Sequence, residues 1–254
     1  MWFINRFTPL ACALAVFVLL ESIIKSPRLI YAAAPLILFL VFLSLWQLTG
    51  QKLRNGKLWR FLITPFIFIA GSLLVLSFLE GFYLRQFLCL IAAVLLGIFL
   101  EMIYLWLHAR PKYQPHALEN ISAHLNLLTV FLISSGAYSL IIFINFSFWP
   151  LVLIYALLVL LLTYQLCWVE NIIFPSSGPY LAAALVVTLE VFLAVSFLPT
   201  SAYIGGLIVA LVYYLITGVL RNLFLGVKEK AVIKRYLLIS VIVFLIIMVT
   251  AKWF

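Results

Sequence analysis

The middle of the chain, Gly97 to Asn145, reads GIFLEMIYLWLHARPKYQPHALENISAHLNLLTVFLISSGAYSLIIFIN. This stretch holds the second half of one apolar segment long enough to cross a bilayer, near residues 86–107, then a short polar hinge, and then a second such segment near residues 123–145. The stretch also holds all three histidines and two of the seven carboxylates, Glu101 and Glu119. It therefore predicts two transmembrane helices that bring polar groups into the interior of a membrane protein.

The composition of the whole chain is that of an integral membrane protein. Of its 254 residues, 67% are apolar and only 9% are charged, whereas about a quarter of the residues of a soluble protein are charged. Apolar runs recur at about the 20-residue length of a membrane-spanning helix, without the alternation of β-barrel strands. The sequence predicts an all-α, polytopic transmembrane helical bundle that forms one membrane domain over residues 1–254.

Nine spans are predicted. They lie near residues 8–24, 29–48, 61–79, 86–107, 123–145, 149–168, 180–198, 203–221 and 234–252. Trp46, Trp106 and Trp168 fall at the ends of the second, fourth and sixth spans, at separations of 60 and 62 residues. This spacing leaves open a construction from repeated helical hairpins.

The positive charges predict the orientation of the bundle. With nine spans, twelve of the 16 Lys and Arg residues fall on the side of the N-terminus and four on the other side. Because positively charged loops stay in the cytoplasm, we expect a multi-pass protein of the cell membrane with its N-terminus inside and its C-terminus outside. The net charge of +9 is thus a topology signal and not a sign of nucleic-acid binding. The basic inward loops near 49–60, 108–122 and 222–233 are candidates to contact anionic membrane lipids or a protein partner.

Polar residues on the fourth and fifth spans are the main candidates for a polar interior. At about 100° per residue, each set falls on one side of its helix. The candidates are Glu101, Tyr104 and His108 on the fourth span, and His124, Ser134, Ser135 and Tyr138 on the fifth. Two interpretations stay open, a hydrogen-bonded seam between helices and the wall of a cavity. The hinge before the fifth span is predicted to be an ordered helix started by Pro115.

Glu190 and Tyr213 complete the set of candidate interior residues. Glu190 lies near the middle of the seventh span, where an ionised carboxylate is costly. We expect it to be protonated, to face the bundle, and to bond Tyr213 on the eighth span or else Ser134 or Ser135.

Several kinds of chemistry lack support. The chain contains no aspartate, so aspartate-rich magnesium motifs and paired catalytic aspartates are excluded. His116, Glu119 and His124 do not have the spacing of a metal site on a helix, since Glu119 and His124 lie about 140° apart. The sequence predicts no metal, no cofactor and no catalytic residue.

The segment Tyr113-Gln114-Pro115, followed by Leu118-Glu119-Asn120 and the polar face of the fifth span, resembles a group of multi-spanning bacterial membrane proteins. That group is defined only as a domain of unknown function. The resemblance covers about residues 60–170 and implies no activity and no site.

Three functional interpretations follow. The first is binding or transport of a lipid or small amphipathic molecule in a cavity among the fourth, fifth, seventh and eighth spans. The second is a non-catalytic scaffold or assembly subunit of a membrane complex, whose polar seams only hold helices together. The third is an intramembrane transferase that uses Glu101 and His108 as acid and base. The sequence does not identify a substrate.

Overall fold

The structure is a computed structural model that describes residues 2–50, 57–170, 178–224 and 230–251. These residues form nine α-helices and two short 3-10 turns, and they include no strand. All nine helices are long and apolar enough to cross a membrane. The predicted class, an all-α polytopic bundle with nine spans, is therefore confirmed for the described part of the chain.

The helices follow one another with short connections. They are α1 (Trp2–Lys25), α2 (Ile30–Thr49), α3 (Lys57–Phe78), α4 (Phe82–His108), α5 (Ala117–Ile144), α6 (Phe148–Val169), α7 (Gly178–Ser196), α8 (Ala202–Phe224) and α9 (Lys230–Thr250). The largest differences from the predicted spans are at the starts of α1 and α5, each of which begins six residues earlier than predicted. A helix continues beyond the hydrocarbon as long as its backbone stays bonded, so hydropathy alone places its ends poorly.

Proline positions agree with the predicted starts of α6 and α7 but not of α1. Pro150 and Pro179 lie in the first turns of these two helices, where a missing N–H is harmless. Pro9, which stands at the start of the first predicted span (8–24), lies inside α1. Membrane helices tolerate such an internal proline because neighbouring groups satisfy the freed carbonyl.

The chain divides into two compact units, residues 1–126 and residues 127–254. In the first unit α1 packs against α2 and α4, α2 against α3, and α3 against α4. Gly97 makes the contact between α1 and α4 close, since a Cβ there would lie 3.0 Å from the Cβ of Ala13. In the second unit α7 packs against α6 and α8, and α8 against α9. The single domain over 1–254 stays a prediction.

The hinge between α4 and α5 is organised by Tyr113. After a 3-10 turn at Arg110–Lys112, the Tyr113 hydroxyl accepts a hydrogen bond from the Leu118 N–H at 3.0 Å. The same hydroxyl donates to Glu119 Oε2 at 3.2 Å. Burial raises the pKa of Tyr113, and the nearby Glu119 carboxylate raises it further. These bonds fix the start of α5.

The predicted ordered helix therefore exists from Ala117 onward. The residues just before it form a turn instead, because His116 has a φ of 61°, which interrupts a right-handed helix. Of the predicted basic loops, residues 51–56 and 225–229 lie outside the described residues.

Candidate functional site

The polar face of α4 packs toward the start of α1. Tyr104 is buried, and the His108 ring stacks on it at 5.4 Å. The Asn5 amide nitrogen on α1 lies 3.4 Å from His108 Nε2. Glu101 is only half-buried. Glu101 and His108 are seven residues apart, so about 10 Å of helix rise separates them. This distance is too long for the two side chains to act together as an acid–base pair.

The first turns of α5 carry one interior pair that the sequence did not indicate. Thr64 of α3 donates a hydrogen bond to Asn126 Oδ1 at 2.8 Å, and both side chains are fully buried. His124, predicted to join the polar interior, is exposed instead. Its Nδ1 lies 2.7 Å from the carbonyl oxygen of Asn120 one turn earlier. The single long stripe predicted for α5 is thus wrong at this end.

In the second unit, tyrosine and serine hydroxyls form a seam between helices. The hydroxyls of Ser134 on α5 and Tyr155 on α6 lie 3.0 Å apart. Tyr138 donates to the carbonyl oxygen of Phe192 on α7 at 2.8 Å. The rings of Tyr155 and Tyr138 stack on Phe192 at 4.1 and 4.8 Å. Of the two interpretations of this face, the structure supports the hydrogen-bonded seam.

Ser135 and Tyr213 are also interior residues. Both are buried, Ser135 on α5 and Tyr213 on α8. Ser135 lies against Gly206 of α8, where a Cβ would overlap the serine hydroxyl and lie 2.8 Å from the Ser135 backbone nitrogen. Only glycine permits this distance between the two helices.

Glu190 does not lie where the sequence predicted it. The residue is on the exposed face of α7, while Thr188 and Phe192 occupy the buried face. Among the described residues, the structure shows no hydrogen bond from Glu190 to Tyr213, Ser134 or Ser135. The prediction that it faces the bundle is wrong, and the reason is the rotation of α7 about its own axis.

A buried ion pair lies where the sequence indicated only a loop charge. Arg221 Nε, in the last turn of α8, is 2.8 Å from Oε1 of Glu170, the residue directly after α6. The Glu170 side chain is 3% exposed and that of Arg221 is 23% exposed. One signal could have found the pair: the predicted sixth and eighth spans end on the same side of the membrane, at about these two residues.

The space beside this ion pair is small. Its wall includes Thr163, Cys167, Tyr180 and Thr217. The cavity measures about 20 Å³, which is room for about one water molecule. The pair is consequently a structural tie between α6 and α8, and the space that the described residues enclose there is too small for an organic ligand.

A much larger space lies in the first unit, between α1 and α2. This groove measures about 680 Å³ and is open on one side, and ligand sites commonly enclose roughly 300–1,000 Å³. Its wall consists of Phe7, Thr8, Ala11, Cys12, Ala15, Leu40, Leu43, Ser44 and Gln47. This groove is the candidate binding site, and the sequence did not predict it.

The groove changes in character along its length. Thr8 and Gln47, which are near the start of α1 and the end of α2, make one end polar. One turn deeper, the Ser44 hydroxyl lies next to Cys12, where it can donate a hydrogen bond to the sulfur. Beyond them the wall is apolar as far as Ala15, seven residues or about 10 Å from Thr8. The groove is therefore polar at one end and apolar at the other, as a site for an amphipathic molecule would be.

The described residues include no group of three His, Cys, Asp or Glu side chains placed to hold a metal ion. His116 Nδ1 is 3.8 Å from Glu119 Oε1 at the start of α5, and the exposed His124 bonds its own helix.

Comparison with known protein families gives a match over most of the chain. A family described as "Protein of unknown function (DUF5656)" matches residues 44–250. The match confirms the resemblance seen from the hinge and extends it over most of the chain. It includes the Ser44–Gln47 edge of the groove but not α1. No curated protein and no solved structure matches the chain.

Proposed function

This chain belongs to the DUF5656 family, and we propose that it binds or transports a lipid or other small amphipathic molecule within the membrane. The observation that carries this proposal is the groove between α1 and α2, about 680 Å³ in volume and open on one side. The void beside Glu170 and Arg221, at about 20 Å³, is far smaller.

The polarity of the groove defines the class of ligand. Its open side gives access from the hydrocarbon, so a molecule already dissolved in the bilayer can enter laterally. An acyl chain packs against Ala11 and Ala15, whose small side chains leave room for it. A polar head group then meets Thr8 and Gln47. Membrane lipids are accordingly the expected partners.

The experiment fills the groove and measures ligand capture. The protein is reconstituted in lipid nanodiscs with a photoactivatable single-chain fatty acid, and the labelled peptides are identified by mass spectrometry. In the native chain we expect labelling of α1 and α2 near Ala11 and Ser44. Ala15→Phe, which displaces about two methylene groups at roughly 0.8 kcal/mol each, weakens capture about tenfold or more.

Matched variants separate groove filling from damage to the fold. Leu14→Phe adds bulk on the exposed face of the same helix and leaves capture unchanged. Ala11→Phe, at an exposed position in the groove, lowers capture without disturbing buried residues. Equal capture by the native chain and both groove variants would overturn the proposal.

A scaffold or assembly subunit is the second candidate. It is favoured by the seam around Ser134, Tyr155 and Phe192, which joins helices without enclosing a ligand. In that case the groove holds only bulk lipid, and the fatty acid labels Leu14 and Ala15 equally. A fixed protein partner would then copurify with the chain.

The orientation proposed from the charges, with the N-terminus in the cytoplasm, has its own test. α4 presents exposed residues on both sides of the membrane, Tyr83 at its start and Arg110 just after its end. We expect an impermeant thiol reagent to label Tyr83→Cys in intact cells and Arg110→Cys only after permeabilisation. The reverse pattern would refute this orientation. In the proposed one, the basic loops contact anionic lipids or a cytoplasmic partner.

A further inference from the structure

The exposed face of α7 carries small side chains, unlike the exposed face of α9. Between residues 182 and 194 every exposed residue other than Glu190 is alanine or valine. The exposed residues are Ala182, Ala183, Val186, Val187, Glu190 and Ala194. By contrast, the exposed face of α9 carries Leu238, Ile242 and Leu245, the large side chains that suit contact with lipid tails.

Glu190 makes this face costly to leave in lipid. It lies six residues before the end of α7, about 9 Å inside the helix, and its side chain is too short to reach the membrane surface from there. Ionisable residues at such depth almost always pair with another polar group or face water. Within the described part of the chain, Glu190 makes no hydrogen bond or ion pair.

The spacing of these residues is that of a helix–helix contact. Ala183, Val187, Glu190 and Ala194 are separated by four, three and four positions, the seam of a left-handed helix pair. Small residues allow close approach in membranes, and a polar residue in the seam adds a hydrogen bond. Moreover, α7 has the lowest mean hydropathy of the nine described spans, although only 22% of the residues in its apolar 18-residue segment are buried.

We infer that this face, Ala183–Ala194 of α7, is the contact between two copies of this chain in the membrane. Copies inserted in the same orientation hold Glu190 at the same depth, and a two-fold axis along the membrane normal brings the two α7 helices together in parallel. Two carboxylic acids that meet in this way satisfy each other, because each can donate one hydrogen bond and accept one. A second copy thus provides the hydrogen-bonding complement that Glu190 needs.

The first test is disulfide cross-linking in native membranes. The three native cysteines are buried, so the unmodified chain gives the background. Ala183→Cys and Ala194→Cys should form a product of twice the chain mass on mild oxidation. Ile242→Cys, on the exposed face of α9, should stay at the background level. Equal cross-linking of all three variants, or a product of any other mass, would overturn the assignment to a second copy.

The second test measures the dimer itself by single-molecule photobleaching in dilute liposomes. Glu190→Leu should weaken dimerisation about 5- to 30-fold, the range for a polar contact in a membrane, whereas Glu190→Gln keeps a donor and an acceptor and should stay near the native value. Ala183→Phe, which blocks close approach, should leave monomers. Because these positions are exposed in the single chain, helix content measured by circular dichroism should not change. A native chain that is monomeric at every density, or a Glu190→Leu variant that dimerises as the native chain does, would refute the inference.

Discussion

Replacing Arg221 with methionine should destabilise the second unit strongly, although the residue lies at the end of a helix. At 2.8 Å from Glu170 and an effective dielectric constant of about 20, the attraction amounts to about 6 kcal/mol. Burial costs each ion several kcal/mol, so the intact pair contributes little net stability. Arg221→Met removes the attraction and leaves the Glu170 carboxylate buried at 3% exposure. The expected loss is about 3 kcal/mol, at the lower end of the usual 3–5 kcal/mol, because 23% of the Arg221 side chain is exposed.

The assay is reversible unfolding in mixed micelles, with the reactivity of the buried Cys167 thiol as a probe beside the ion pair. The double variant Glu170→Gln, Arg221→Met removes both charges and should recover most of the lost stability. The control is the pair of Lys25 and Glu21, which is 3.5 Å apart with side chains 75% and 30% exposed. Lys25→Met should cost less than about 1 kcal/mol. If Arg221→Met costs no more than Lys25→Met, or if the double variant is as unstable as the single one, the pair is not buried as described.

Two further predictions concern close packing and pH. Gly206→Ala should destabilise the chain by about 1–3 kcal/mol, since the new Cβ would lie 2.8 Å from the α5 backbone. Gly205→Ala should cost less, because its Cβ would meet only side chains, at 3.0 Å. Unfolding in mixed micelles measures both changes. For Tyr113, burial raises the pKa above the ordinary 10.0, so its contribution to stability is complete below pH 10 and is lost as the pH rises through the raised value. Thermal unfolding between pH 8 and 11 should show a smaller loss in Tyr113→Phe than in the native chain, and identical pH profiles would contradict this.

The number and order of the helices could be predicted because the length of each apolar run can be read from the sequence. Each span needs about 20 apolar residues, and every predicted span corresponds to one described helix. Where a helix extends beyond the bilayer, local hydrogen bonds and not hydropathy determine where it ends. At the start of α5, Tyr113 and Glu119 fix the boundary by hydrogen bonds, which hydropathy does not register.

The candidate site was harder to predict, because it depends on how each helix is rotated. Tyr104 and Tyr138 are buried as their polar faces suggested. Glu190 was assigned to the interior by the rule that membrane carboxylates face protein. The rule itself is sound. On the exposed face of α7, however, Glu190 can find its protein partner in another copy of the chain. The groove was missed for a related reason, since Ala11 and Ala15 read as ordinary apolar residues until α2 is placed beside them.

The ion pair of Arg221 and Glu170 shows what a count of charges leaves out. In the topology argument Arg221 was one of twelve positive residues on the side of the N-terminus, as though each were free to interact with the membrane surface. Even when Arg221, which is paired with Glu170, is left out of the count, eleven positive residues stand against four. The asymmetry survives, so the proposed orientation does not depend on this residue. Arg221 is better understood as the tie that holds the end of α8 to the end of α6.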